Sequence, residues 1–236
     1  MKRNDFYRGI KDGIPICLGY FSVSMAFGIA ATKGGIPVWA SVLTSLTNVT
    51  SAGQFAGVNV MLELGGMIEL AITTLIINIR YFLMSLSVSQ RTDGSMTLWQ
   101  RFLVSFGITD EIFAVSMGRT SALSFPYMVG LIVTPVLGWT GGTAFGAVAT
   151  SVLPPSLSSA MGIALYGMFI AIVTPPARKN KNVFFAVITA VTLSFVFFYA
   201  PVLKHLSSGW TIILITILVS ALCATLFPVK TEHSME

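Results

Sequence analysis

The sequence reads as long apolar stretches separated by short polar ones. Residues 13–32, 34–62, 182–203 and 205–229 contain no Asp, Glu, Lys or Arg, and residues 120–177 are uncharged throughout. A membrane-crossing helix needs about 20 predominantly apolar residues, so that last run holds two. The runs are continuous rather than alternating, which points to helices and away from a barrel. The pattern predicts spans over about residues 14–32, 37–62, 67–89, 98–118, 126–150, 156–174, 183–202 and 210–227. The expected fold class is all-α, a polytopic membrane helical bundle of about eight transmembrane helices, or seven if 98–118 does not cross. It forms a single integral membrane domain over residues 1–236.

Composition agrees. The chain is 54% hydrophobic and 10% charged, with mean hydropathy +0.82, against about 25% charged residues in a soluble domain. The net charge of +5 does not suggest nucleic acid, because the basic residues sit between apolar segments, where they set orientation. Cys17 and Cys223 fall within predicted spans, so neither a structural disulfide nor a metal site is expected. The first segment is as long as a full span and is read as retained, not as a cleaved signal.

Two segments break the apolar pattern. In the second, Asn48-Val-Thr-Ser-Ala-Gly-Gln54 puts polar and small residues at mid-depth. An unwound helix there frees backbone N–H groups, and a half-helix N-terminus can hold an anionic group. An unbroken helix with a polar packing face fits the same residues. In the fourth, Asp110 and Glu111 stand together between uncharged stretches, 102–109 and 112–118. Ionisable groups inside a membrane segment are costly and tend to be functional.

The third segment carries Glu69, Asn78 and Arg80. Glu69, Thr73, Ile76 and Arg80 recur at helical spacing and share one face. Glu69 is near the segment start and is expected at the lipid headgroups. Arg80 lies deeper and is expected to point into the bundle toward Asp110 or Glu111. A structural neutralising pair accounts for it as well as a substrate role does.

Lys2, Arg3, Arg8 and Lys11 are expected to hold the N-terminus in the cytoplasm. Eight spans then place Arg178, Lys179, Lys181 and the C-terminus there too. Dropping 98–118 would put that basic cluster outside, so the segment holding Asp110 is expected to cross. A weak internal repeat relates Phe27-Gly-Ile-Ala-Ala-Thr-Lys-Gly-Gly-Ile-Pro37 to Phe145-Gly-Ala-Val-Ala-Thr-Ser-Val-Leu-Pro-Pro155. The offset suggests a 4+4 duplication with parallel halves, roughly 1–118 and 119–236, around a broken second helix.

The stretches Asp12–Thr32, Ser51-Ala-Gly-Gln-Phe55, Asn78-Ile-Arg-Tyr81 and Phe106-Gly-Ile-Thr-Asp-Glu-Ile-Phe-Ala114 together resemble the AzlC-type branched-chain amino acid permeases, the large subunit of a two-component exporter. The threonine-rich approach to Ser51, through Thr44, Thr47 and Thr50, departs from the family pattern. The resemblance implies efflux of branched-chain amino acids (leucine, valine, isoleucine, with methionine as a further candidate), partnership with a small AzlD-type membrane subunit, and a bacterial cell membrane location. A zwitterionic amino acid needs an acceptor for its ammonium and donors for its carboxylate. Asp110 or Glu111 is the expected acceptor. Backbone N–H groups near Gly53, with Gln54 and Arg80, are the expected donors. Asn78 and Thr109 complete the candidate substrate site, and Phe106, Phe113 or Met117 supply apolar wall. A nearby Arg favours the ionised form of a carboxylate and desolvation the neutral one, so Asp110 and Glu111 are also candidates for coupling efflux to proton entry.

An enzyme is not expected. The only histidines, His205 and His233, lie in a loop and in the tail, so no Ser–His or metal cluster is available inside the bilayer. No cofactor is expected, and no Gly-rich loop ending in Lys-Ser/Thr suggests ATP-driven transport. A passive channel or a non-transporting subunit of a complex remains the alternative.

Overall fold

The structure, a computed structural model, describes residues 2–150, 170, 173–201, 203 and 206–228. Its helices are α1 (Lys2–Lys33), α2 (Val38–Thr47), α3 (Ala52–Leu62), α4 (Met67–Arg91), α5 (Leu98–Phe106), α6 (Asp110–Gly118), α7 (Phe125–Ala149), α8 (Lys181–Tyr199) and α9 (Ser208–Leu226). Residues 173–179 are helical as well. Among the described residues there is no strand, only an isolated bridge between Thr92 and Leu123. Among them too, five helices are long and apolar enough to cross a membrane: α1, α4, α7, α8 and α9. The expected span over 156–174 lies largely outside the described residues, as do the end of the second repeat copy and His205 and His233.

The chain divides into two compact units, one of residues 1–55 and 77–165, the other of 56–76 and 166–236. In the first, α1 begins at Lys2, well before the apolar run that predicted it. Acidic side chains account for the extra turns. Asp5, in the first turn, pairs with Arg119 at 3.4 Å and accepts a hydrogen bond from Ser124 Oγ at 3.1 Å. Asp12 accepts one from Tyr127 Oη at 2.9 Å. Both tie α1 to the start of α7.

Helices α1 and α7 then run side by side. A Cβ added at Gly9 would collide with the backbone of Tyr127 and Leu131, one at Gly138 with Cys17, one at Gly146 with Met25, and one at Gly28 with Thr143 and Ala147. Positions in α1 and α7 rise together, so the two helices are parallel. Small residues allow this backbone approach. Parallel α1 and α7 require an odd number of membrane crossings between them. Of the segments between them α4 is long and apolar enough to cross, so the broken segments 37–62 and 98–118 either both cross or both turn back. Gly28 and Gly146, equivalent positions of the internal repeat, both lie in this contact.

The second segment is interrupted, which decides between the two sequence readings. Helix α2 ends at Thr47, α3 starts at Ala52, and Ser51 between them has φ of 46°. The fourth segment, expected as one helix, is also two. Gly107 ends α5, its N–H bonded to Val104 O at 3.1 Å, and a Cβ there would strike the Ile132 side chain of α7. Thr109 then takes an extended conformation and accepts from Ile112 N at 3.4 Å, capping α6. The cluster of Val104, Ile108, Ile112, Leu123, Met128 and Leu131 packs this broken segment against α7.

In the second unit, α8 and α9 pack together, with Phe185 and Phe227 edge to face at 5.4 Å. Most large apolar side chains of α8 face outward, as a lipid-facing helix requires. Glu69 is 6% exposed and caps α9, accepting from Ser207 Oγ and from Trp210 N at 3.3 Å. Glu63 accepts from Ser208 N at 2.9 Å. Carboxylates at a helix N-terminus satisfy its free N–H groups and complement its dipole.

Gly146→Ala is expected to destabilise the purified protein by about 1–3 kcal/mol, because its methyl meets backbone that cannot rotate away. Gly141→Ala is the control, since its Cβ meets only a Phe21 ring carbon at 4.0 Å. Thermal unfolding in detergent checks both; equal melting temperatures would contradict the close α1–α7 contact.

Candidate functional site

Both helix breaks belong to the first unit, and polar side chains connect them. Helix α4 contributes Asn78, Arg80 and Tyr81. The start of α6 contributes Asp110 and Glu111, capped by Thr109. Helix α3 contributes Gly53 and Gln54 from its first turn, and α1 and α7 contribute Tyr20 and Trp139.

Arg80 meets Asp110 in a two-pronged ion pair, Nη1 to Oδ1 at 2.9 Å and Nη2 to Oδ2 at 2.8 Å. Parallel N–H···O bonds of this kind fix geometry as well as charge. The pair is accessible, with side chains 47% and 40% exposed. Its acid stands in the first turn of α6, where the helix dipole favours a negative group. Neighbouring residues on a helix point about 100° apart, and Glu111 accordingly turns elsewhere. It is exposed and accepts a hydrogen bond from Tyr20 Oη. Thr109 Oγ1 lies 2.7 Å from the same phenol oxygen. Among the described residues no lysine or arginine forms an ion pair with Glu111.

The other side of the pair leads to the first break. Tyr81 Oη lies 3.5 Å from both Arg80 Nη2 and Thr50 O, and the guanidinium stands 5.1 Å from the Tyr81 ring centroid. Asn78 lies directly against the start of α3: a Cβ on Gly53 would fall 2.5 to 2.9 Å from the Asn78 carboxamide. The Asn78 Oδ1 atom is buried there without a hydrogen-bond partner, a costly state that a donor entering the joint would relieve.

The seven residues singled out from the sequence therefore gather in one unit, with different standings. Gly53, Asn78, Arg80, Thr109, Asp110 and Glu111 border the two breaks. Gln54 does not present its amide to them. It is 1% exposed; its Oε1 accepts from Trp139 Nε1 at 2.9 Å and its Nε2 donates to Ser45 Oγ at 2.6 Å. Ser45 lies 2.7 Å from Thr143 Oγ1. Gln54 thus joins α2, α3 and α7 with both ends of its amide occupied. Of the expected apolar wall, Phe106 is exposed, whereas Phe113 packs against the core of the unit. Sequence reasoning missed Tyr20 and Trp139, whose rings meet edge to face at 5.3 Å. The available signal was position: Tyr20 is the only tyrosine of the first apolar run and sits mid-helix, where a phenol needs a partner.

Comparison with known proteins fits this arrangement. The family model described as AzlC protein matches residues 15–153, a stretch that holds every residue named above. The chain belongs to the AzlC family. It is 28% identical over 185 residues to the inner membrane protein YgaZ of Escherichia coli K12, covering 75% of each chain. It is 29% identical over 193 residues to an uncharacterized membrane protein of Archaeoglobus fulgidus, covering 80% of this chain and 84% of that one. A Helicobacter pylori J99 membrane protein matches over 116 residues at 28% identity, 48% of this chain and 50% of the other. No solved structure matches. The AzlC-family membership and the apolar helices make this chain a membrane protein of a transport-related family.

Gln54→Leu is expected to lower stability by about 1–3 kcal/mol, since it strands the buried Trp139 N–H and removes one of the two partners of Ser45. Denaturant or thermal unfolding measures this. A loss no larger than that of an exposed substitution such as Ser87→Ala would show that the amide does not tie the helices.

Proposed function

We propose that this chain is the large subunit of a secondary transporter that exports branched-chain amino acids in exchange for protons. In this reading it sits in a bacterial inner membrane, acts with a small AzlD-type membrane subunit, and carries no enzymatic activity. The observation that carries the reading is the unequal treatment of two adjacent carboxylates at a helix break: Asp110 is neutralised by Arg80, while Glu111 is accessible and, among the described residues, is held by a neutral hydroxyl without a paired cation. A carboxylate without a counter-cation, inside a membrane segment, is suited to a cationic group or a proton. Glu111 then takes the substrate ammonium in one state and a proton in the other.

The substrate carboxylate belongs on the opposite side of the joint. Arg80 offers its guanidinium, already oriented by Asp110, and the first turn of α3 at Gly53 offers backbone N–H groups. Asn78 fits the same end through its amide. An aliphatic side chain is accommodated by the apolar surface that includes Phe106. Gln54 supports this arrangement from behind and does not touch the substrate.

In proteoliposomes carrying the chain with its small partner, efflux of labelled leucine is expected to accelerate when the exterior is made acidic, because protons enter as leucine leaves. Glu111→Gln is expected to lose that acceleration and to slow efflux about tenfold or more, the scale of removing a charge-assisted hydrogen bond to the substrate. Trans-stimulated counterflow by the wild type separates a carrier from a channel. Full pH-driven export by Glu111→Gln would remove Glu111 from the coupling role, and leucine flux without counterflow would favour a passive channel.

A further inference from the structure

We propose that Tyr20 is a positioning residue that assigns the two adjacent carboxylates their separate duties. The phenol holds Glu111 away from Arg80, so that of the two acids only Asp110 pairs with Arg80. The transport consequence rests on the reading above; the positioning itself does not.

Donor counting supports it. A phenol has one proton, whereas two acceptors lie within its reach, Glu111 Oε2 and Thr109 Oγ1 at 2.7 Å. Charged acceptors make the stronger bond, so the Tyr20 proton goes to Glu111. The Thr109 hydroxyl then donates to the phenol oxygen, while its own oxygen accepts from Ile112 N at 3.4 Å. The α6 cap thus feeds directly into the Tyr20–Glu111 bond. Every proton in this run has a single destination, which orients the carboxylate without a cation.

The phenol is itself held. Its ring stands edge to face on Trp139, 5.3 Å between centroids and 71° between planes. The Trp139 side chain is 1% exposed and its N–H is fixed on Gln54. Both rings ride on α1 and α7, whose backbones are locked together by glycines on either side, at Gly28 and Gly138. The hydroxyl position is therefore set by a rigid helix pair, while the carboxylate that it holds belongs to the end of a short helix beside a break.

Arg80 shows what the hydroxyl prevents. Both of its terminal nitrogens are taken up by Asp110. Glu111, one residue further along α6, is the nearest alternative acid in the sequence. Without the phenol oxygen, Glu111 loses the hydrogen-bond donor that holds it and competes with Asp110 for the guanidinium. Two acids sharing one arginine leave no accessible carboxylate free of a cation.

The test uses the purified full chain with Tyr20→Phe, which keeps the ring on Trp139 and removes only the oxygen. Infrared difference spectra between acidic and alkaline buffer report the carboxyl and carboxylate bands, and subtraction of Glu111→Gln spectra isolates those of Glu111. The expected result is a shifted Glu111 band in Tyr20→Phe, with the Asp110 band, isolated by Asp110→Asn, also changed. Unchanged bands for both acids would overturn the proposal whatever happens to transport. In proteoliposomes, Tyr20→Phe is expected to slow leucine counterflow about tenfold or more in the wild-type background, and less than about twofold in Glu111→Gln. Equal losses in the two backgrounds would overturn it. A wild type that does not carry leucine would refute the transport reading and leave the infrared result to decide the role of Tyr20.

Discussion

The close parallel contact of α1 and α7 is the constraint on which the rest depends. In a bilayer no hydrophobic force drives one apolar helix onto another, so association rests on packing and on polar links. Here glycines on both helices bring backbone against backbone over most of their length, from Gly9 to Gly146. That contact fixes direction, and direction constrains topology: between two parallel helices the chain crosses the membrane an odd number of times. It also fixes position. Tyr20 and Trp139 face each other because their backbones cannot move apart.

Two broken helices are tolerable in a membrane only where their freed backbone groups find partners. The first break is served by Tyr81, whose hydroxyl lies 3.5 Å from Thr50 O. The second is served by Thr109, whose hydroxyl caps α6. The first therefore draws on α4 and the second on its own capping residue, and the side chains that serve them bracket the Arg80–Asp110 pair. The charge arrangement follows from the same economy. An arginine at mid-span needs an acid, and the acid is most stable at a helix start, so the break that places Asp110 at the N-terminus of α6 favours the pair twice over. A second acid beside it then has no cation left, and only a neutral donor can hold it.

Much of this was legible in the sequence because it is written in local terms. Charge gaps located α1, α4, α7, α8 and α9, and the run from Asn48 to Gln54 announced the first break. The pairing of Arg80 with an acid at 110 or 111 followed from the cost of a lone charge in lipid. The second break was not legible: Gly107 and Thr109 occur in ordinary helices too, and what interrupts this one is Ile132 of α7 packed where a Cβ would go. The cap that Glu69 places on α9 was not legible either, because its partners, Ser207 and Trp210, are about 140 residues away in sequence. Gln54 looked like a substrate ligand for the same reason, since the indole that occupies it comes from α7.

Tyr20 belongs to that last class and shows why the class matters. Its neighbours in sequence are apolar or small, and nothing local distinguishes it from a packing aromatic. Its significance arises only when α6 brings Glu111 to the phenol oxygen and α7 brings Trp139 to the ring. The acids could be found from composition because a charge in lipid is an anomaly on its own. The neutral group that decides between them is an anomaly only in three dimensions. A tyrosine can hold a carboxylate without cancelling its charge, which an arginine or lysine at the same position would do. Under the proposed exchange of ammonium and proton, that difference separates a carboxylate poised for exchange from one already spent in a salt bridge.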